Sequence, residues 1–350
     1  MRSNLFFAAG TANTVALTDL TGAVGHQGAH GCRIQCPLSR HHKPGVGTYY
    51  PMATLPYDCE EYPSHHCINN YKVPDNCRRP DINLRTLPLP DPQQYLINLQ
   101  SVLASTTKQE FEEQQQNTGL SCPSICLGFQ PNSTYPPPLL FTMDLMHLIG
   151  NNLPIHLHNI WHGKAGDIPE PKPNFQVLND VQVWKQHGEL VALMAPFFPG
   201  SFNCTPCNPQ EKINSGYKAI EWINDFWVLG PAVFCLVLSH QLWSHFCKLV
   251  TGVRIIQQRT ISATEFDLAD KLLLEWVDDF EKIYCGQDIH HMHLVCPCVH
   301  RMIHLAPQTA CCGPLGILAQ WALKNAIDNL GHEIHQPSNP FMNLSECGLM

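Results

Sequence analysis

The sequence predicts an α+β fold that is mainly helical, and three observations support this prediction. Apolar residues recur every three to four positions beyond about residue 175, which is the period of an amphipathic helix. Residues 11–20 are rich in β-branched side chains and are expected to form a short strand. Residues 22–47 are rich in Gly, His and Cys, so we expect an irregular Cys/His-containing segment there.

The N-terminal half is expected to hold little further regular structure. The strand predicted over residues 11–20 carries Asp19 close to its end. Residues 51–95 are rich in Pro and polar side chains and show no periodicity, and residues 105–118 are polar throughout, which indicates a solvated helix or a linker. The apolar core is therefore expected to come mainly from the C-terminal half.

Helices are expected to fill the C-terminal half. Apolar positions between residues 213 and 227 form one helix face, and a last helix is predicted over residues 315–330, with Gly331 as its stop. The longest apolar run covers residues 226–238. A membrane span needs roughly 20 residues, so we expect this shorter run to be a core element.

The clearest helix signal covers residues 263–284. Ser262 and Glu265 have the spacing of a capping box, in which each side chain binds the backbone N–H of the other residue. Apolar side chains then line one stripe of the helix. Gly286 follows as a plausible stop, because Gly readily adopts the left-handed conformation that ends helices.

His and Cys are unusually frequent in this chain, and Arg is scarce. The 350 residues include 20 His and 17 Cys but only 9 Arg. Imidazole and thiolate are preferred zinc ligands, whereas a C-to-T transition in a CG dinucleotide turns Arg codons into Cys or His codons. The net charge of -8 offers no overall basic surface for DNA. An odd number of irregularly spaced Cys indicates reduced thiols, as in the nucleus or cytoplasm.

Three groups of Cys and His have spacings that suit a metal ion. They are His26, His30, Cys32 and Cys36; Cys204 and Cys207; and Cys296, Cys298, His300 and His304. The first group lies where Gly-rich backbone can wrap an ion, and the second is half of a tetrahedral site. By spacing alone the third is the best zinc candidate, because its two His lie one helical turn apart. The alternative is a helix whose His residues pack or face solvent.

Acidic residues on separate predicted elements form another candidate site. Asp19 ends the predicted strand, Asp144 and His147 lie in the sequence DLMH, and Glu333 lies near the last helix. Carboxylates that converge from separate elements can hold two divalent ions for phosphoryl transfer. The alternative is that they are ordinary helix caps and surface charges.

Several segments together carry a resemblance to a known family. They include GHQGAHGCRIQCPL, DLMHLIGNNLP, LVALMAPFFPGSF, NPQEKINSGYKAIEW and DNLGHEIHQPSNPFMNLSECG. In this order they resemble the transposases of CACTA-type cut-and-paste DNA elements, in particular the Plavaka-like group of fungal genomes. The resemblance covers nearly the whole chain from about residue 15. The SGYKAIEW block and the C-terminal tail are its most specific parts.

The resemblance implies a DDE-class transposase, in which three acidic residues hold two Mg²⁺ ions that cut and join the DNA of the element ends. Asp19 matches the second acidic position, and Lys324 stands where the family has its Glu. Asp144 and His147 match a D-x-x-H motif of the family. No residue matches the first acidic position, so the chain is expected to be truncated before the strand that would carry it.

The implied fold is the remnant of a ribonuclease-H-like core that is interrupted by a large helical insertion. The implied division of the chain is a remnant strand (1–20), a Cys/His-containing segment (21–60), a Pro-rich and polar linker region (61–140), a helical insertion (141–310), a C-terminal core helix (311–336) and a tail (337–350).

The resemblance also divides the Cys and His residues into two sets. His26, Cys32 and Cys36 match a His/Cys segment of the family and stay zinc candidates. Other residues stand where the resemblance implies Arg. They are Cys204, Cys207, Cys296, Cys311, His335 and Cys347. Most of the excess of Cys and His is therefore expected to record mutation of Arg codons.

Lys324 in place of Glu is expected to abolish two-metal catalysis. Exchanging a negative for a positive charge beside a divalent cation costs on the order of 10 kcal/mol. The sequence thus predicts a degenerate and catalytically inactive transposase-derived protein, nuclear or cytoplasmic, with DNA as the ancestral partner and no contact with membranes. The alternatives are a domesticated DNA- or protein-binding fragment and a zinc-stabilised structural module.

Overall fold

Helices dominate the fold, as the sequence predicts, and the strands are short. The computed structural model describes residues 9–38, 40–43, 46–54, 56, 82–89, 91–169, 171–202, 204–334 and 338–347. The helices are α1 (Thr14–Thr21), α2 (Pro92–Leu103), α3 (Lys108–Thr118), α4 (Leu145–His147), α5 (Leu153–Trp161), α6 (Val181–Met194), α7 (Pro209–Lys212), α8 (Ala219–Trp222), α9 (Gly230–Val233), α10 (His240–Ile256), α11 (Ala263–Phe280), α12 (Pro297–His300), α13 (Leu305–Cys312), α14 (Trp321–Glu333) and α15 (Pro340–Cys347). The strands are β1 (Gly10–Thr11), β2 (His41–His42), β3 (Tyr49–Tyr50) and β4 (Phe141–Thr142).

The four strands pair two by two. β1 runs parallel to β4, with Gly10 opposite Phe141. β2 and β3 are antiparallel, with His41 opposite Tyr50. These two-stranded pairs are the only sheets among the described residues. The ribonuclease-H-like core that the resemblance implies therefore stays a prediction.

The strand predicted over residues 11–20 is wrong, because most of this run forms helix α1. Asn13 caps the first turn by accepting a hydrogen bond from the Ala16 backbone N–H at 2.9 Å. Gly22 ends the helix in the left-handed conformation, with φ 69°. These caps satisfy backbone groups at both helix ends, and they outweigh the β-preference of the Thr and Val side chains. Asp19 consequently lies exposed on a helix and not at a strand end.

The helix predicted from the Ser262–Glu265 capping box is confirmed. The Ser262 N–H donates to the Glu265 carboxylate at 2.8 Å, and the Glu265 N–H donates to Ser262 Oγ at 3.3 Å. A π turn follows α11 and ends at Gly286, with φ 56°. α11 packs against α10, where a Cβ on Gly252 would lie only 2.8 Å from the Leu273 side chain. The absence of a side chain at Gly252 therefore lets the two helices approach closely.

Two other helices have bounds that differ from those predicted from the sequence. The helix face predicted over residues 213–227 is interrupted at Gly216, whose φ of 100° no helix can contain, so α8 begins only at Ala219. The helix predicted over residues 315–330 corresponds to α14, which begins only after a separate 3₁₀ turn that follows Pro314 and continues through Gly331 to Glu333. A Gly near a helix end favours a stop without enforcing one, because Gly also adopts helical angles.

An aromatic cluster fills the centre of the helical body. Trp161, Phe226, Phe234 and Phe246 contact one another with ring centroids 5.0–5.7 Å apart. The window Ala219–Leu236 has the length and the mean hydropathy, 1.2, of a membrane span, but half of it is buried inside the fold. Phe226 and Phe234 are both fully buried, which confirms the core role predicted for this run.

Candidate metal centre

A tight turn in the Gly-rich segment brings Cys32 and Cys36 together. The Gln35 N–H donates to the Cys32 carbonyl at 2.9 Å, and Gln35 adopts the left-handed conformation with φ 55°. The Arg40 guanidinium packs behind the turn and donates to the His26 carbonyl oxygen. A Cβ on Gly31 would lie 2.8 Å from the Gly25 backbone oxygen and 2.6 Å from Arg40 Nη1, so the absence of a side chain at Gly31 lets the turn pack closely.

His300 and His304 come from a helical run on the opposite side of the site. α12 passes through a 3₁₀ turn, Arg301–His304, into α13. A separation of four residues places both imidazoles on one face of this run. Both rings are buried. The helical run therefore presents two nitrogen ligands side by side.

The two segments meet at one point inside the protein. The ligand atoms of Cys32, Cys36, His300 and His304 all lie within 4.8 Å of one another, and all four residues are buried. Cys32 Sγ lies 3.6 Å from His304 Nε2, Cys36 Sγ lies 3.3 Å from His300 Nε2, and the two Nε2 atoms lie 3.1 Å apart. A tetrahedral zinc with its usual bond lengths has ligand–ligand edges of about 3.3–3.8 Å. The donor set and its dimensions thus fit a zinc ion.

The protonation states of the ligands suit metal binding. Burial lowers the pKa of His300 to about 4, so the ring is neutral and its nitrogen lone pair is available. A hydrogen bond with Cys36 lowers the pKa of Cys32 well below its ordinary value, and the same contact raises the pKa of Cys36. The contact therefore favours the thiolate form of Cys32 and keeps a proton on Cys36. A metal ion that takes both thiolates displaces this proton, so binding is favoured by higher pH.

Two buried arginines lie close to the sulfur atoms. Arg40 is 2% exposed and Arg301 is 7% exposed. Burial lowers the pKa of both guanidinium groups, and attraction to the Cys32 sulfur opposes this effect. Because nearby cations favour the charged form of a thiol, the surroundings stabilise the thiolate that a metal requires.

Comparison of the chain with protein-family models, with curated proteins and with solved structures gave no match.

The cluster joins residues from two groups that the sequence analysis kept apart. Cys32 and Cys36 come from the first predicted group, while the ring of His26 lies outside the cluster. His300 and His304 come from the third group. The signal available in the sequence was that C-x3-C and H-x3-H are two half sites of equal spacing.

The CTPC pair takes no part in a metal cluster within the described part of the chain. Its loop is instead held through its backbone. The Cys207 N–H donates to the Glu221 carboxylate at 3.3 Å, and the Tyr217 hydroxyl donates to the Cys207 carbonyl at 3.3 Å. Cys204 Sγ has only a contact of 3.5 Å with the Thr205 carbonyl. Among the described residues, no further His, Cys, Asp or Glu ligands therefore complete a metal site with Cys204 and Cys207.

The candidate catalytic residues lie in three different environments. Asp19 and Lys324 are exposed, on α1 and α14 respectively. Asp144 is 1% exposed and caps α4; it accepts hydrogen bonds from the Met146 N–H at 3.1 Å, the Gln320 N–H at 2.9 Å and His147 Nδ1. Both oxygens of this carboxylate are therefore occupied by protein donors.

The predicted two-metal site does not assemble among the described residues. The Cys/His cluster is the only group there in which three or more His, Cys, Asp or Glu ligands converge. Glu333, the last acidic candidate, lies exposed at the end of α14. Within the described residues, the cluster that could hold a metal is thus one of sulfur and nitrogen ligands, which suit a soft metal.

Proposed function

We propose that the protein is a zinc protein, in which one structural Zn²⁺ fastens the Gly-rich N-terminal segment to the helical body. The observation that carries this proposal is the convergence of Cys32, Cys36, His300 and His304 at tetrahedral distances. Two thiolates and two neutral imidazoles balance the charge of Zn²⁺, and this donor set is the one that structural zinc sites use.

The surroundings of the site favour a structural role over a catalytic one. A catalytic zinc keeps one position open for water or substrate, whereas four protein ligands fill a tetrahedral ion completely. All four ligand residues are also buried, with Cys32 5% and Cys36 3% exposed. A substrate therefore has neither a free coordination position nor a path to the metal.

The ion would supply stability that the Gly-rich segment lacks. The buried apolar side chains around the turn form a small cluster of Cys32, Ile34, Cys36 and Leu38. Two of its four members are the ligands themselves. Zinc binding contributes about 10–16 kcal/mol of apparent free energy in small zinc modules. We therefore expect the ion to order this segment, in a compartment that keeps the thiols reduced, such as the nucleus or cytoplasm.

Metal analysis of the purified full-length chain tests the proposal. We expect about one Zn²⁺ per chain, in line with the four-ligand site. Cys36→Ser and His304→Ala each remove one ligand and should reduce the bound zinc well below this ratio. Cys235→Ser and His332→Ala alter an exposed thiol and an exposed imidazole and should leave it unchanged. Substoichiometric zinc in the unaltered chain would contradict the proposal.

A second candidate is a catalytically inactive transposase relic whose ancestral substrate was element-end DNA. One arrangement favours it. β4 pairs in parallel with β1, Asp144 follows two residues after β4, and its carboxylate binds the Gln320 N–H at the start of α14, which carries Lys324. The resemblance implies acidic residues after strands and a Glu on a later helix; it matches Asp144 to the D-x-x-H motif and Lys324 to the position of the Glu, and these two elements lie side by side here. A retained role in binding DNA or a protein is compatible with the same arrangement.

A strand-cleavage assay on element-end DNA with Mg²⁺ or Mn²⁺ tests this candidate. We expect no cleavage by the unaltered chain, because Asp144 is sequestered and Asp19 lies exposed on α1. Lys324→Glu alone should not restore cleavage, since it returns one carboxylate without freeing the others. Metal-dependent cleavage by the unaltered chain would show that the account of inactivity is wrong.

A further inference from the structure

Cys296 and Cys298 form a second sulfur pair, outside the four-residue metal cluster. Their Sγ atoms lie 2.9 Å apart. This is closer than two non-bonded sulfur atoms normally pack and about 0.9 Å longer than an S–S bond. Cys296 is the N-cap residue of α12, and Pro297 is its first residue. The start of the helix thus holds two free thiols in contact.

The groups around the pair favour reaction at Cys296. The ring of His156 makes a hydrogen-bonding contact with Cys296, and its Nε2 lies 2.7 Å from the Leu294 carbonyl oxygen. Because a carbonyl only accepts, Nε2 carries the ring hydrogen, and Nδ1 of the neutral ring can take up a proton. The Arg301 guanidinium attracts both sulfurs. A proton acceptor and a cation beside a thiol are the features of a reactive cysteine.

The two sulfur pairs differ in how a reagent can reach them. Cys296 is partly exposed, while Cys298 is 6% exposed and, besides Cys296, has a long contact of 3.8 Å with the Asn152 carbonyl. Cys32 and Cys36 are both buried and contact the imidazoles of the metal cluster. Cys296 lies outside the metal cluster, so its oxidation displaces no metal ligand.

We propose that Cys296 and Cys298 are a reversible thiol–disulfide site that peroxides oxidise and thiols reduce, independently of the metal cluster. The inference rests on the contact between the two sulfurs and on the groups that surround them. It does not require zinc to be bound elsewhere, so its failure and the failure of the zinc proposal are separate outcomes.

The reaction balances with hydrogen peroxide as the oxidant. Cys296 passes its proton to His156, and the thiolate attacks one peroxide oxygen; the O–O bond breaks, hydroxide leaves, and a sulfenic acid forms. The sulfur of Cys298 then attacks the Cys296 sulfur, the S–O bond breaks, and the second oxygen leaves as water with the proton of Cys298. The hydroxide takes the proton from His156, so two thiols lose two electrons and one peroxide becomes two waters.

The product is expected to be easily reduced. A disulfide between residues separated by one position closes a small ring, and geometric strain makes such bonds more reducible. Strained or accessible disulfides have the higher reduction potentials that characterise labile and regulatory bonds. A thiol such as dithiothreitol or glutathione should therefore restore both cysteines.

Oxidation of the full-length chain by hydrogen peroxide, followed by alkylation and peptide mass spectrometry, tests the proposal. We expect a loss of about two alkylatable thiols per chain, both mapped to one peptide with an internal Cys296–Cys298 disulfide. Dithiothreitol should return both thiols. The zinc content, measured in parallel, should not change during oxidation.

Three variants identify the steps. Cys298→Ser removes the resolving sulfur, so Cys296 should stop at a sulfenic acid that dimedone traps. His156→Gln removes the proton acceptor and should slow the reaction of Cys296. Cys235→Ser removes an exposed thiol elsewhere and should leave the disulfide unaffected. Circular dichroism confirms that each variant keeps the helical fold.

Two results would overturn the proposal. One is oxidation of Cys32 and Cys36 with release of zinc while Cys296 and Cys298 stay alkylatable. The other is a chain in which Cys296 reacts no faster than the exposed Cys122 and Cys235 and yields no internal disulfide. Both results are read from the unaltered chain, so they do not depend on the folding of any variant.

Discussion

Asp144 accepts three hydrogen bonds from protein donors, so both oxygens of its buried carboxylate are engaged within the fold. Its partners are the Met146 and Gln320 backbone N–H groups and His147 Nδ1. They tie the start of α4 to the start of α14 around one buried carboxylate. At the residue scale Asp144 therefore connects the starts of two helices.

Replacement of Asp144 by Ala should destabilise the protein. It leaves the Met146 and Gln320 N–H groups without their acceptor at a buried site, and such losses cost about 1–3 kcal/mol for each donor. We expect a lower urea midpoint that corresponds to about 3 kcal/mol. Asp328→Ala, on the exposed surface of α14, is the matched control and should change the midpoint little. A midpoint in Asp144→Ala equal to that of the control would show that Asp144 does not connect the two helices.

Helix α6 packs against the 3₁₀ turn Phe234–Leu236, which follows α9, through a buried histidine. His187 of α6 is 2% exposed and stacks on Phe234 with ring centroids 4.7 Å apart, while its Nδ1 has no hydrogen-bond partner among the described residues. Burial lowers the pKa of His187 to about 4. The contact between these elements thus requires the neutral imidazole and is sensitive to acid.

The free energy of unfolding should therefore fall as the pH is lowered from about 6.5 toward 4. In that range the unfolded chain binds a proton at His187 that the folded chain does not, so the contribution is present above the unfolded pKa and is lost below it. His187→Phe should reduce the slope by up to about 1.4 kcal/mol per pH unit. Urea titrations at several pH values measure this. The control His332→Phe, on exposed α14, should keep the full slope. Equal slopes in the two variants would contradict the assignment.

Local signals explain which elements were predictable. The capping box of Ser262 and Glu265 correctly predicts the start of α11, because both partners lie within one helical turn. In residues 11–20 the β-branched side chains indicate a strand, but the flanking Asn13 and Gly22 cap helix α1. The interruption of the helix at Gly216 could not be predicted from apolar spacing, because that spacing continues on both sides of the glycine. Where the periodicity of the side chains predicts the wrong element or the wrong bounds, the helix caps and the Gly backbone conformations account for the observed structure.

At the scale of the whole molecule, the proposed zinc ion joins the two ends of the sequence. Cys32 and His304 are 272 residues apart, and Cys36 and His300 are 264 residues apart. Each half site was visible from its spacing, but their pairing depends on how the helical body places α12 and α13 beside the Gly-rich segment. Without that packing, His26 and Cys296 were equally reasonable partners for the same cysteines and histidines. The residues that meet in the structure are the C-x3-C pair, Cys32 and Cys36, and the H-x3-H pair, His300 and His304.

The central claim is that one ion is bound by two sulfurs and two nitrogens inside the protein. Zinc K-edge X-ray absorption on the purified full-length chain measures this coordination directly. We predict a four-coordinate shell of two sulfur atoms at about 2.3 Å and two imidazole nitrogens at about 2.0–2.1 Å, with no water ligand. A shell that contains no sulfur, four sulfurs or a bound water would contradict the account.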